Sequence, residues 1–284
     1  MPYTNLHGAW SRRLHLSVLI AILLGSGPVT PLERTSADSP WHRWKSIRLK
    51  VKSMPLLSGR VWMHLKPDGS RVRLETETTA KFFGARISTT RTRSVMDRET
   101  RIPGSYVSWN SKRARRFTFD EEGYLFERLR PGHKNRKAPY TEWEVKTSDR
   151  FDYPVDADGK RLPVYDHYGM LLKLRDAELA NVGDEVVLHV ATSHGPTPYR
   201  ISVAELRAGE VRYSTLPDKK KRSAIVRQMR LEVVPADPER AEEGFLNMKG
   251  ETELWVESRS KTVLRIGGRA PKIGKIALVL AEMG

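Results

Sequence analysis

The sequence predicts a mainly β protein: a curved antiparallel sheet or half-barrel wrapped around one central helix, behind a cleavable N-terminal signal segment. Three observations carry this. Short runs of alternating apolar and polar residues, bounded by Gly, Pro, Asp and Ser, recur along most of the 284 residues, which is the pattern of many half-buried strands. One mid-chain stretch, residues 163–190 (PVYDHYGMLLKLRDAELANVGDEVVLHV), holds a run that reads as helix, with Asp166 placed to cap it by accepting the free amide hydrogens of its first turn. Its apolar residues Tyr168, Met170, Leu171, Leu172 and Leu174 cover more than one narrow stripe, so this helix has to be buried.

The N-terminus comes first in the chain. Arg12 and Arg13 precede an apolar run at 14–24 (LHLSVLIAILL), followed by Gly25, Ser26, Gly27 and Pro28. A basic patch, a short apolar run and small helix-breaking residues form the pattern of a secretory signal. The run falls short of the ~20 apolar residues that a membrane-spanning helix needs. Thr35-Ser36-Ala37 is the best small-x-small cleavage site, which makes 1–37 the signal peptide and 38–284 a single β-rich domain. The paired arginines also resemble a twin-arginine export signal. The expected compartment is the periplasm of a Gram-negative envelope.

Strands follow in order. Ile47, Leu49 and Val51 alternate with Arg48 and Lys50. Residues 60–65 (RVWMHL) and 71–76 flank Asp68-Gly69, a hairpin signal because both residues tolerate positive φ. Residues 82–84 and 106–109 (YVSW) look like further strands or strand ends. Residues 117–119 and 124–126 flank a turn at 120–123, and 141–145 (TEWEV) reads as another strand. A Pro- and Gly-marked connection at 152–163 leads into the central helix. Beyond the turn at Gly183-Asp184, strands are expected at 185–190, 199–203, 211–214 and 225–234. Asp237 and Pro238 begin a short helix as cap and first residue. The chain closes with strands at 251–256, 262–266 and 275–280.

Composition narrows the partners. Fifty Lys and Arg against 34 Asp and Glu give +16 and a pI near 10.1. Residues 1–37 hold three Arg and one Glu, so their removal lowers the charge by two, to +14. A field of that sign favours anionic partners. The absence of cysteine excludes disulfides, thiolate metal sites, a cysteine nucleophile and a lipid-modified N-terminal cysteine. No catalytic residue can be assigned. Asp166-His167 are adjacent without a Gly-x-Ser-x-Gly elbow, and Gly267-Gly268 lack the Lys-Ser/Thr of a nucleotide loop. Asp152, Asp156, Asp158 and Gly159 read as an Asp-Gly turn, because a calcium loop would place Tyr165 where an acidic pair is required. His189 and His194 lack a third ligand, so neither metal nor cofactor is expected.

The order of central helix, Gly-Asp turn, strand, long β-meander and terminal Trp hairpin resembles a family of exported bacterial domains of unknown function, DUF3108. The residues carrying the resemblance are 166–175 (DHYGMLLKLR), Gly183 before 186–190, 253–256 (ELWV), Lys261, Arg265, Ile266, and Ile273-Gly274 before 276–280. Residues 117–123 and Arg130-Pro131 fit more loosely. That family is in turn similar to the half-barrel-around-a-helix architecture of the periplasmic lipoprotein carriers. The sequence departs from the pattern at Ser258-Arg259-Ser260 and Val263-Leu264, and in the many arginines of its first half. The resemblance implies a fold and no established activity.

Two sets of binding residues are expected. A sheet over a helix leaves two apolar faces that can enclose a lipid-sized pocket, with Trp62, Phe82, Trp109, Trp143, Met170, Leu171 and Trp255 as its lining. Basic clusters beside turns are expected to meet an anionic membrane surface or lipopolysaccharide: Arg113, Arg115 and Arg116 after Lys112, then His133-Lys134-Arg136-Lys137, then Lys219, Lys220, Lys221 and Arg222. Nucleic acid is not expected for an exported protein. The leading reading is thus a periplasmic lipid or hydrophobic-ligand binding or carrier module. The alternative is an assembly factor that holds a protein or glycan of the envelope, and an enzyme is the least supported class. The oligomeric state is not legible.

Overall fold

A computed structural model of the chain describes residues 40–51, 57–132, 138–237, 245–270 and 274–284. The expected signal segment, the His133 cluster and the short helix after Asp237 lie outside the described residues. All the described residues belong to one unit, Thr35–Gly284.

After a single helical turn, α1 (Pro40–Arg43), the chain forms eight consecutive antiparallel strands. They are β1 (Ser46–Val51), β2 (Leu57–Asp68), β3 (Arg71–Phe82), β4 (Ala85–Asp97), β5 (Pro103–Trp109), β6 (Ala114–Phe119), β7 (Gly123–Arg130) and β8 (Glu144–Asp152). A crossing segment leads to the two-residue β9 (Val164–Tyr165) and the central helix α2 (His167–Lys173). The second meander comprises β10 (Glu185–Thr192), β11 (Gly195–Thr215), β12 (Lys221–Pro235), β13 (Lys249–Glu257), β14 (Val263–Ala270) and β15 (Gly274–Met283).

All fifteen strands form one sheet, in the order β8 to β1, then β15 to β9. The chain therefore starts mid-sheet at β1, winds outward to β8, crosses to the opposite edge at β9, and winds back until β15 pairs with β1. Chain length forces curvature. Residues 153–163 join the two edges and span at most about 40 Å. A flat sheet of this many strands would be roughly 65 Å wide. The edges accordingly approach: Tyr124 Oη donates to the Thr192 carbonyl at 3.0 Å, and a Cβ on Gly195 would lie 3.4 Å from the Phe151 ring.

The concave face holds α2. Gly169, Met170, Leu171 and Leu172 are buried, and Met170 is fully so. Met170, Leu171 and Leu172 belong to one continuous apolar cluster with Leu74 and Met96 of the first meander, and Ile201, Leu231 and Leu254 of the second. Trp41 and Trp44, just before β1, are buried in the same cluster. A smaller aromatic cluster (Tyr106, Phe117, Tyr124, Phe126) fills the region under β5–β7.

Most expected strands are present, with three differences. Residues 141–145 do not form a strand as a block: 140–142 make a 3-10 turn and β8 begins at Glu144. The strands expected at 199–203 and 211–214 are one strand, β11, carrying a register shift between Val203 and Glu205. The expectation left β4 out entirely, although it pairs along most of β3. The Asp68-Gly69 hairpin forms as expected, with Gly69 at φ 63.

Candidate functional site

The helix is anchored by a polar device. Asp166 is buried, and its Oδ1 accepts the amides of Tyr168 and Gly169 at 2.9 and 3.0 Å. Its Oδ2 accepts the Ser94 hydroxyl from β4 at 2.5 Å. Burial raises its pKa, opposed by these donors, Ser94 foremost. Alongside, Thr76 and Thr92 share a hydrogen bond of 2.7 Å, and Thr76 reaches the Tyr168 hydroxyl at 3.4 Å. His167 next to Asp166 is not oriented by it. Burial, and then the charge of Arg115, hold its imidazole down to about 4, and its Nδ1 is buried without a partner.

The expected lining residues do not converge on one interior pocket. Met170 and Leu171 are packed core, because residues from both meanders close around the helix. Trp62 lies on the opposite sheet face from the inward Val61 and Met63: strand alternation turns it outward, where the Arg48 guanidinium sits 4.2 Å from its ring and His64 packs beside it. Phe82 ends β3 at the Phe83–Gly84 turn. Trp109 and Trp143 do meet, with Ala114, Leu129 and Tyr140, in a separate cluster. Trp109 packs on Tyr140 at 4.7 Å, and Trp143 Nε1 donates to the Ala138 carbonyl at 2.9 Å. Together with Ile87, Thr89 and Arg91 they line an open cleft of about 660 Å³.

Trp255 belongs to a second cleft, which arises from the topology. The end of β11 pairs in parallel with the end of β15, Ser214 with Glu282 and Thr215 with Met283. Strands β11, β12, β13, β14 and β15 thereby close into a ring within the larger sheet. Every strand of that ring contributes to a cleft of about 880 Å³: Arg207 and Val211, Gln228, Trp255, Leu264 and Arg265, Val279 and Leu280. The Arg207 guanidinium sits 3.9 Å from the Trp255 ring centre, and Trp255 Nε1 donates to Glu253 at 2.7 Å. Gly209 leaves space for Gln228, since a Cβ there would lie 2.4 Å from its amide nitrogen.

The basic residues divide. Lys219, Lys220, Lys221 and Arg222 are exposed at the β11–β12 hairpin tip, where Lys220 pairs with Asp218 at 3.5 Å. Arg116 is taken by the half-exposed side of β6, bonded to Glu127 at 2.6 Å, and this partner raises its pKa. Arg113 and Arg115 sit on the other side, beside Arg128 and Arg130 of β7, around a pocket of about 100 Å³. Sequence reasoning overlooked Arg128, Arg130, Arg207 and Gln228. For the first two a signal existed, the alternation in residues 126–130 (FERLR) opposite 113–117.

The Asp156–Gly159 stretch is a turn, in which Asp156 Oδ1 accepts the amides of Asp158 and Lys160. Among the described residues no group of three or more His, Asp or Glu is placed to hold a metal ion, and no helix is long and apolar enough to cross a membrane.

Fold and clefts define a mainly β protein, one curled sheet around a central helix whose Met170, Leu171 and Leu172 are buried in a continuous apolar cluster, with open surface clefts. No family model matches the chain, and no curated protein does. A solved structure that matches is the crystal structure of a beta-barrel-like protein of domain of unknown function DUF1849 from Brucella abortus, at TM-score 0.49 and 8% identity, covering 84% of this chain and 95% of that one.

Proposed function

We propose that this chain is a non-enzymatic binding module of the bacterial envelope that holds an anionic amphiphile, a lipid or a lipid-linked component, in the ring cleft of β11–β15. The observation that carries the reading is that cleft: about 880 Å³, lined by all five strands, with Trp255, Leu264, Val279 and Leu280 beside Arg207 and Arg265. A mostly apolar concave surface with a few cationic groups suits an acyl chain carrying a negative charge. In this reading residues 1–37 are a cleaved export signal and the protein works in the periplasm, meeting an anionic surface through the hairpin tip at Lys219–Arg222. The resemblance to DUF3108 through α2 and the terminal hairpin belongs to the same reading.

The test is native mass spectrometry of the mature protein purified from its own envelope, with solvent extraction of the bound mass. A discrete extra mass that extracts as lipid is expected, and it should disappear in Ala277→Trp, which fills the cleft from a half-buried position on β15, on the same side as Val279 and Trp255. A bare polypeptide mass from the wild type would remove the reading.

The assembly-factor alternative has one observation in its favour, β8, a nine-residue edge strand exposed along nearly all its length. It also carries Glu144, Lys146, Asp149, Arg150 and Asp152, and charge along an edge is how natural sheets discourage added strands. The cleft is therefore the better-supported site.

A further inference from the structure

The β6–β7 hairpin concentrates uncompensated charge. In its register Arg115 stands directly opposite Arg128, and the same side of the two strands continues to Arg113 and Arg130. Like charges directly opposed across a ladder are destabilising. Ordinarily an interposed carboxylate removes the conflict. Here the nearest acids in the ladder are engaged elsewhere: Glu127 bonds Arg116 on the opposite face, and Glu144, across from Arg130, pairs with Lys146. Among the described residues none of the four arginines forms an ion pair. Arg128 has a favourable partner in the Phe126 ring at 5.6 Å.

The four are not all waving in solvent. Arg115 is half-buried beside the aromatic cluster, and its pKa is lowered by burial first and then by Arg113 and Arg128. Between them lies the pocket of about 100 Å³. That is room for a few waters at about 30 Å³ each, or for one tetrahedral oxyanion. Guanidinium groups present planar forks that bind phosphate oxygens in pairs, which a lysine cluster cannot do. A fold that keeps four arginines together, one of them desolvated, without an acid, holds a repulsion that a multivalent anion relieves.

We propose that Arg113, Arg115, Arg128 and Arg130 form a binding site for a phosphate group. The site is separate from the ring cleft: it adds a phosphate receptor to the anionic-ligand reading and stands or falls on different residues. The phosphate can belong to a lipid headgroup or to a soluble phosphate compound, and the test separates these.

Thermal unfolding of the full mature chain is measured with inorganic phosphate against chloride at equal ionic strength, for wild type, Arg128→Gln, Arg113→Gln and the Lys219–Arg222 serine variant. Phosphate should raise the wild-type melting temperature beyond the chloride control. Arg128→Gln should unfold at or above the wild-type temperature in chloride, because a repulsion is gone. It should also weaken phosphate binding by about tenfold or more, the loss of one bidentate contact. Arg113→Gln, at an exposed position, gives the same loss if the first variant misfolds. The hairpin-tip variant and Ala277→Trp should keep the full phosphate response. Flotation with phosphatidic-acid vesicles against phosphatidylcholine vesicles then assigns the source. Binding lost in Arg128→Gln means a lipid headgroup, whereas a phosphate response without arginine-dependent vesicle binding means a soluble phosphate compound. No phosphate-specific stabilisation of the wild type, or an undiminished response in both arginine variants, overturns the site.

Discussion

Replacing Asp166 tests whether the helix is held by a hydrogen-bonding cap or by a charge. The carboxylate accepts two helix amides at Oδ1 and the Ser94 hydroxyl at Oδ2. Asp166→Ala removes the cap, a loss of about 1 kcal/mol and up to about 2. It also strands the buried Ser94 hydroxyl, at about 1–3 kcal/mol. The sum is about 2–4 kcal/mol, a large share of the roughly 5–15 kcal/mol that stabilises a typical domain. Asp166→Asn is different. Its carbonyl oxygen can keep both amides while its NH2 donates to Ser94, so it should lie within about 1 kcal/mol of wild type. The charge predicts a pH signature as well. Because burial raises the folded pKa, the folded state binds a proton that the unfolded chain has already released. Wild type should therefore lose stability, relative to Asp166→Asn, as pH rises from below the unfolded value near ~3.9 to above the folded one. Urea unfolding at several pH values measures all three chains. If Asp166→Ala unfolds within 1 kcal/mol of wild type, at the bottom of the range for one lost cap, the cap argument is wrong. If Asp166→Asn is as damaging as Asp166→Ala, the anion itself is needed.

Other expectations follow from single residues. His167 is held at about 4 in the folded chain against its ordinary 6.5, so the unfolded chain binds the extra proton between those values and stability falls as pH drops through 6.5 toward 4. Unfolding in urea at pH 7 and pH 5 should differ by about 2 kcal/mol more in wild type than in His167→Phe, and equal differences would refute the burial assignment. Met170→Asp places an unpaired carboxylate in a fully buried position, so its circular dichroism should show no cooperative melting; a wild-type transition would mean the helix is not enclosed. Replacing Lys219, Lys220, Lys221 and Arg222 by Ser should leave melting unchanged, since all four are exposed, and weaken flotation with anionic vesicles. Unchanged flotation removes the hairpin tip from the membrane-facing reading.

What could be read from the sequence was what alternates. Ile47, Leu49, Val72 and Leu74 point inward at every second position and are buried as their strands required. The helix was legible because its apolar residues exceed a stripe and its cap precedes them. Strand β4 was not, and the reason is physical. Its inward positions include Thr92 and Ser94, which meet Thr76 and Asp166 and make a polar row under the helix. With hydroxyls in place of apolar residues on that stretch, the hydrophobic period is missing. Strand β8 hid for another reason: both of its faces are largely exposed, so nothing alternates. The clefts lay beyond sequence reasoning altogether. Trp255 meets Arg207 because β12 lies between their strands, and the ring exists because a 21-residue strand bends back to pair in parallel with the last one. Neither event has a local signature.

The topology also explains why the proposed binding sites lie away from the middle of the molecule. A sheet whose two edges are joined by residues 153–163 must curl until they approach, and curling drives both meanders onto the helix. The concave space is then consumed by Met170, Leu171, Leu172 and Leu174 against both halves, as close packing demands. Among the described residues, open clefts lie where the sheet does something besides curl around α2. One such place is the β11–β15 ring, where a second closure leaves a cleft that Gly209 and Gln228 do not fill. Another is the far end of β6–β7, where arginines replace the phenylalanines that occupy the same side of those strands nearer the helix. A ligand of this protein is thus expected at the rim and ends of the sheet. A mutation that enlarges the core beside Met170 should create a dry cavity without adding a binding site.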